Sequence, residues 1–130
     1  MKINLSDLKL KTFTEQDALD YCLLNNININ ITEELYLENN ELTDISGVKL
    51  FKNLIILFLS NNKIEDISAV KNLDNLAFLE IGNLKFKNEL DTVKIINSLK
   101  NLETLNIFNS FKTIKDTQLR KLIKKSIDFI

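Results

Sequence analysis

Residues 35–46 read LYLENNELTDIS and align without gaps with residues 57–68, which read LFLSNNKIEDIS. The offset from position 35 to position 57 is 22 residues. The same frame returns at Leu79, again 22 residues further on, and at Leu105, where the spacing grows to 26 residues. A fixed period of this length indicates a repeat architecture in which each unit buries its apolar face against its neighbours.

Each of the four units begins with leucine or isoleucine alternating with other residues, which is the pattern of a short strand with one buried face. Asn40 and Asn62 follow the first two strands, and we expect their inward amides to satisfy backbone groups at the turn. The third and fourth units hold Leu84 and Ser110 at this position. The inward pairs are predicted to be Leu35/Leu37, Leu57/Leu59, Leu79/Ile81 and Leu105/Ile107.

The asparagine-rich runs at Asn39 to Ser46 and Asn61 to Ser68 resemble the short, 22-residue repeats of internalin-type leucine-rich-repeat proteins. The resemblance covers about Thr32 to Leu105 and is specific for fold rather than for function. It implies an α/β fold, namely a right-handed solenoid with short parallel strands on its concave face and helical or irregular segments on its convex side. We predict one domain over residues 1–130, with a helix/strand cap over 1–31, four repeats over 32–112 and a helical cap over 113–130.

Helices are predicted at three places outside the strands. Thr14 followed by acidic residues resembles a helix start, and this helix should cover the first repeat strand. Residues 91–98 should form a helix in the longer third unit, and a last helix should begin at Asp116 or Thr117. The isoleucines at 27, 29 and 31 predict a connecting strand. The predicted core-facing residues are Ala18, Leu19, Cys22 and Leu23, then Val93, Ile96 and Leu99, then Leu119, Leu122, Ile123 and Ile127.

Composition argues against catalysis. The chain has no histidine and one cysteine, which removes the commonest general base and a thiolate metal site. Neither of its two glycines lies in a phosphate-binding loop. Carboxylate pairs such as Glu33 and Glu34 should lie on an open strand surface, which is a poor setting for acid-base chemistry. We therefore predict that the chain is not an enzyme and uses no cofactor or metal.

Two features have an ordinary structural explanation. Cys22 is better explained as a small buried apolar residue than as a nucleophile, because its helical neighbours are apolar. The basic residues of the last helix fit a solvated face better than a nucleic-acid site, since no aromatic residues are interleaved with them. They are Arg120, Lys121, Lys124 and Lys125.

The net charge of the chain and its amino-terminal sequence predict the class of partner and the cellular compartment. The formal net charge of −1 gives no overall field for nucleic acid or an anionic membrane, so we predict neither as a partner. Residues 1–11, MKINLSDLKLK, lack the continuous apolar segment of a secretory signal. A lone cysteine suits a reducing compartment. We expect a cytoplasmic protein.

The outward strand positions form the predicted protein-binding surface. Neighbouring strands should place Tyr36 beside Phe58 and Ile56 beside Phe78, with carboxylates around them. Clustered aromatic side chains with a polar rim are typical of interfaces, although Phe58 and Phe78 could instead fill a tight curve or pack under a terminus. The predicted binding residues are Glu34, Tyr36, Glu38, Ile56, Phe58, Ser60, Phe78, Glu80, Thr104, Asn106 and Phe108.

Two functions follow from this surface. The first is a module that inhibits its partner by occlusion, and it resembles the immunity or antitoxin proteins that shield a toxin; an acidic, aromatic face suits a basic partner. The second resembles leucine-rich-repeat regulators that position an enzyme without blocking it. The two differ in whether the partner stays active in the complex.

Overall fold

The computed structural model describes residues 1–123 and 127–130. Within these residues one sheet of six strands runs in sequence order, with every neighbouring pair parallel. This confirms the predicted α/β solenoid of short parallel strands. The strands are β1 (Lys2–Asn4), β2 (Glu34–Tyr36), β3 (Ile56–Phe58), β4 (Phe78–Glu80), β5 (Thr104–Asn106) and β6 (Asp128–Phe129).

The strand register confirms the repeat frame. Leu35 lies opposite Leu57, Leu57 opposite Leu79, and Leu79 opposite Leu105. All four side chains are fully buried, so the core is a continuous stack along the solenoid. Ile107, predicted to point inward, is half-buried and packs against this core.

The convex side changes from 3-10 helix to α-helix along the chain. The two 22-residue units return through the short 3-10 helices Ser46–Leu50 and Ser68–Val70. The 26-residue unit has room for an α-helix, Glu89–Ser98, which begins two residues before the predicted start because the Asn88 side chain caps it. The predicted core-facing residues of this segment, Val93, Ile96 and Leu99, are buried.

The first α-helix, α1 (Glu15–Leu24), is capped by Thr14 as predicted. The Thr14 hydroxyl accepts from the backbone of Asp17, whose carboxylate accepts from the backbone of Thr14. The helix packs on the convex side against the 3-10 helix Ser46–Leu50. Gly47 permits this approach, because a Cβ there would lie 2.4 Å from the Thr14 carbonyl oxygen.

The predicted position of α1 over the first repeat strand is therefore wrong. That edge of β2 is paired with β1, a strand that the sequence pattern did not reveal. Ala18 and Cys22 are buried as predicted, but Leu19 and Leu23 are 48% and 82% exposed. A helix that contacts one neighbouring coil buries only a narrow stripe, and these two side chains lie outside it.

The other two end elements differ from their predictions as well. Ile29–Ile31 is a 3-10 helix rather than a strand, because the Asn28 side chain accepts from the backbone of Asn30 and starts a turn. In the C-terminal region α2 denotes Glu89–Ser98 and α3 denotes Asp116–Leu122. Helix α3 starts after Lys115 without a side-chain cap, so neither Asp116 nor Thr117 caps it.

Helix α3 buries Leu119, and Ile123 directly after it is buried as well, whereas Leu122 is 38% exposed. Ile127 was predicted to lie on this helix, but it lies after the helix and is half-buried. It directly precedes β6, which extends the sheet beyond β5. Lys124 and Lys125, which were predicted to lie on the helix, fall outside the described residues. In the described part of the chain no helix is long and apolar enough to cross a membrane.

Candidate protein interface on the concave sheet

Asparagine side chains satisfy the turns that follow the strands. Asn40 donates to the carbonyls of Leu5 and Leu37 at 2.9 and 3.0 Å and accepts from the backbone of Leu8 and Leu10, both at 3.0 Å. The structure thus confirms the predicted role of the inward amides, since Asn62 repeats this pattern.

In the last repeat a hydroxyl group replaces the inward amide. Ser110 accepts from the backbone of Leu84 at 2.9 Å and donates to the carbonyl of Ile81 at 2.5 Å. Leu84 itself is buried as an apolar residue at the equivalent position of the third unit. The turn of the third unit is therefore satisfied by the serine of the fourth unit instead of by an asparagine.

A second row of asparagines, which the sequence interpretation missed, lies on the exposed edge of the same turns. Its members have left-handed backbone, with φ between 52° and 59°, and their amides form a chain of hydrogen bonds. The recurrence of asparagine in one frame was the available signal, because asparagine tolerates this conformation. The row consists of Asn39, Asn61, Asn83 and Asn109.

The predicted binding residues that lie within β2 to β5 alternate with fully buried leucines, so they face away from the core, whereas Glu38, Ser60 and Phe108 lie just after strands. Phe108 is 71% exposed, whereas Ser60 is buried and its hydroxyl accepts from the backbone of Gly82 at 2.8 Å. Ser60 is thus part of the floor of this face. The others are half-buried, namely Glu34, Tyr36, Glu38, Ile56, Phe58, Phe78, Glu80, Thr104 and Asn106.

Three aromatic rings form a continuous row across β2, β3 and β4. Tyr36 lies opposite Phe58 with ring centroids 4.9 Å apart, and Phe58 stacks on Phe78 at 5.2 Å. Ile56 lies opposite Phe78, as predicted. None of these three rings belongs to the buried core or to the side chains packed against it. We call Tyr36, Phe58 and Phe78 the aromatic row.

Carboxylates border the aromatic row. The Tyr36 hydroxyl donates to Glu34 at 2.6 Å, and this bond, with burial and nearby negative charge, raises the pKa of Tyr36 to about 12. Burial raises the pKa of Glu38, as do the charges of Glu80 and Asp7, against a hydrogen bond from its own backbone amide that lowers it. Lys2 is the only cation at an outward position of the described strands. The concave face is therefore acidic around an aromatic centre.

Comparison with known proteins identifies the repeats. Residues 33–72 match the family model for leucine-rich repeats in two copies. These residues are leucine-rich repeats. Curated protein sequences give no match to it.

A solved internalin structure has the same fold. The chain is similar to an internalin, InlF, from Listeria monocytogenes strain 4b F2365, with a TM-score of 0.59 and 23% identity. The match covers 75% of this chain and 34% of the internalin, so the chain spans about a third of that protein's length. Internalin C2 from the same strain has a TM-score of 0.49 and 18% identity, covering 99% of this chain and 69% of that one.

Leucine-rich repeats form solenoids whose concave surfaces serve as extended binding sites for other proteins. The leucine-rich repeats at residues 33–72 therefore indicate an interaction module. The individual contact residues are predicted by the geometry of the sheet.

Proposed function

We propose that this chain binds a partner protein with its concave sheet and that the aromatic row is the centre of contact. The observation that carries the proposal is the row itself, three half-buried rings in mutual contact outside the core. Rigid aromatic side chains supply large contact area at low entropic cost, and they dominate the energetics of interfaces.

The charges around the row favour a basic partner. The outward carboxylates of this face include Glu34, Glu38 and Glu80, whereas the whole chain has a formal net charge of only −1. An acidic patch on a nearly neutral protein raises the rate of association with a basic partner and disfavours acidic ones.

The specific role proposed is inhibition by occlusion in the cytoplasm, in the manner of an immunity or antitoxin protein against a basic toxin. A concave surface that covers a partner's active site would abolish its activity at a ratio of one to one. A scaffold that positions an enzyme would leave that activity intact, so stoichiometric inhibition of the partner separates the two roles.

The test uses three tagged proteins as parallel baits in cytoplasmic extract from the native source. These are the wild type, the Phe58→Ala/Phe78→Ala variant, and a Leu23→Ala/Leu90→Ala control that removes exposed apolar side chains from α1 and α2. The proposal expects a basic protein that the wild type and the control retain and the phenylalanine variant loses. Equal capture by all three baits would refute it.

A further inference from the structure

The last part of the chain is attached to the repeats by little apolar contact. After Phe111 the structure describes residues 112–123 and 127–130, which we call the C-terminal segment. Within these described residues the only buried side chains are those of Leu119 and Ile123. By contrast, the 22-residue unit over 57–78 buries seven apolar side chains. Burial of apolar surface therefore holds the C-terminal segment much less firmly than it holds a repeat.

Glu89 supplies a polar attachment for the start of this segment. Its carboxylate, on the first turn of α2, accepts from the backbone N–H groups of Lys112, Thr113 and Ile114 at 2.7, 3.0 and 2.9 Å. The Thr113 hydroxyl adds a fourth donor at 2.7 Å. These contacts join residues that are 23 to 25 positions apart in the sequence. One side chain thus fastens the segment to the helix of the third repeat.

The charge of Glu89 strengthens this attachment. Burial raises the pKa of Glu89, but the hydrogen bonds from Thr113, Lys112 and Ile114 together lower it below the ordinary value. The carboxylate is therefore ionised at neutral pH, and hydrogen bonds to a charged acceptor are stronger than those to a neutral one.

The other end of the segment covers an edge of the sheet. The backbone N–H groups of Asp128 and Ile130 donate to the carbonyls of Glu103 and Leu105 at 2.8 and 3.1 Å. If the segment leaves β5, these carbonyls lose their donors and become an open sheet edge, which another chain can pair with. The segment therefore shields an edge of β5, a strand of the candidate interface.

We propose that the Glu89 carboxylate controls the opening of the C-terminal segment, which detaches from β5 as one unit when the hydrogen bonds to residues 112–114 break, while the repeats stay folded. Cooperative units that open below the free energy of global unfolding are those with few buried apolar contacts. This inference does not depend on what the concave face binds.

The test is hydrogen exchange of individual backbone amides in the full chain, measured by NMR. The amides of residues 112–114 and those of Asp128 and Ile130 should share one protection factor. It should be at least about a hundredfold lower than that of the Leu37 and Leu59 amides, which donate to the neighbouring strands of the repeats. Equal protection of the two sets of amides would overturn the proposal, because the segment would then open only when the whole chain unfolds.

Glu89→Gln tests the role of the carboxylate, and it keeps a carbonyl acceptor so that the chain should stay folded. The substitution should speed exchange about fivefold at residues 112–114 and, to the same extent, at Asp128 and Ile130. Asp91→Asn, which removes a charge from the same helical turn, should leave these rates unchanged. Faster exchange confined to residues 112–114 would also overturn the proposal, since Glu89 would then hold only a local turn.

Discussion

Asn61 donates a hydrogen bond of 2.7 Å from its side-chain amide to the side-chain oxygen of Asn39, one repeat earlier. Asn83 makes the same contact to Asn61, also at 2.7 Å. These residues have left-handed backbone, which is unfavourable for most side chains but tolerated by asparagine. Each asparagine thus closes a turn and links it to the next repeat.

The first prediction uses substitutions at Asn61 to separate the contribution of the left-handed backbone from that of the side-chain hydrogen bonds. Asn61→Ala should destabilise the protein by about 1–2 kcal/mol, because alanine is strained at a φ of 59°. Asn61→Gly should cost less, since glycine accepts this conformation and loses only the amide contacts. Urea unfolding of both variants measures the difference, with Asn72→Ala as an exposed control. Equal losses for alanine and glycine would assign the whole effect to the hydrogen bonds.

The second prediction concerns the inward amide of Asn62. It donates to the carbonyls of Leu37 and Leu59 at 3.0 and 2.9 Å and accepts from the backbone of Leu42 at 2.9 Å. Asn62→Leu should therefore cost on the order of 1–3 kcal/mol, because buried backbone groups lose their partner.

Leu84 shows that leucine fits sterically at this position, since the third repeat buries it there and satisfies its backbone through Ser110. The loss in Asn62→Leu should thus report hydrogen bonding rather than overpacking. The measurement is the free energy of unfolding in urea, with Asn72→Leu expected to change it by less than about 0.5 kcal/mol. A stability equal to that of the wild type would mean that water replaces the amide.

The repeat frame was predictable because its leucines face one continuous core and cannot shift without exposing it. Strand β1 could not be recognised from the repeat spacing, because α1 lies between it and β2. Ile3 therefore stands 32 residues before its partner Leu35. Strand β6 contains only two residues, too few for alternation to be visible. The turn at Ile29–Ile31 was missed because Asn28 overrides the strand-like alternation of isoleucines.

The candidate interface could be predicted in part for the same reason. Strand register follows from the repeat, and it places Tyr36 beside Phe58. Ser60 is buried and accepts a hydrogen bond from the backbone of Gly82 in the next repeat, a contact that alternation within one strand cannot reveal. The desolvated oxygen of Glu38 likewise depends on three-dimensional packing around it.

The third prediction concerns pH and Glu89, the first residue of α2. Its carboxylate accepts from the backbone of Lys112, Thr113 and Ile114 and from the Thr113 hydroxyl at 2.7 Å. Burial alone would raise the pKa of Glu89, but these hydrogen bonds together lower it below the ordinary value. A depressed pKa in the folded state means stability that is present above the unfolded-state pKa and is lost as pH falls through the folded-state pKa.

Glu89→Gln should therefore destabilise the protein at pH 7, by on the order of 1 kcal/mol. The difference from the wild type should shrink as the pH falls below the ordinary glutamate pKa. Urea unfolding across this range measures both quantities. Asp91→Asn is the matched control, since it removes a charge from the same first helical turn but leaves the contacts to residues 112–114 in place. A difference that stays constant with pH would show that the charge of Glu89 does not act through these bonds.

The last prediction separates folding from binding at the aromatic row. Phe58→Ala and Phe78→Ala should each lower stability by about 0.5–1.5 kcal/mol, because each removes an aromatic contact on the sheet surface rather than a core side chain. Phe51→Ala provides the contrast, since that ring is fully buried and its loss should cost about 3–5 kcal/mol.

The affinity for the partner should depend strongly on Phe58 and Phe78, although their effect on stability is small. Removing a central aromatic anchor should weaken the partner's affinity by about thirtyfold or more, which corresponds to at least about 2 kcal/mol. Glu80→Lys at the rim should mainly slow association and make it more sensitive to salt, whereas Lys121→Glu on α3 should be silent. Thermal melts and surface binding kinetics on the same preparations measure the two effects. If the Phe58 and Phe78 variants melted as early as Phe51→Ala, the rings would be structural; if they melted normally and still bound with unchanged affinity, the partner would contact another surface of the solenoid.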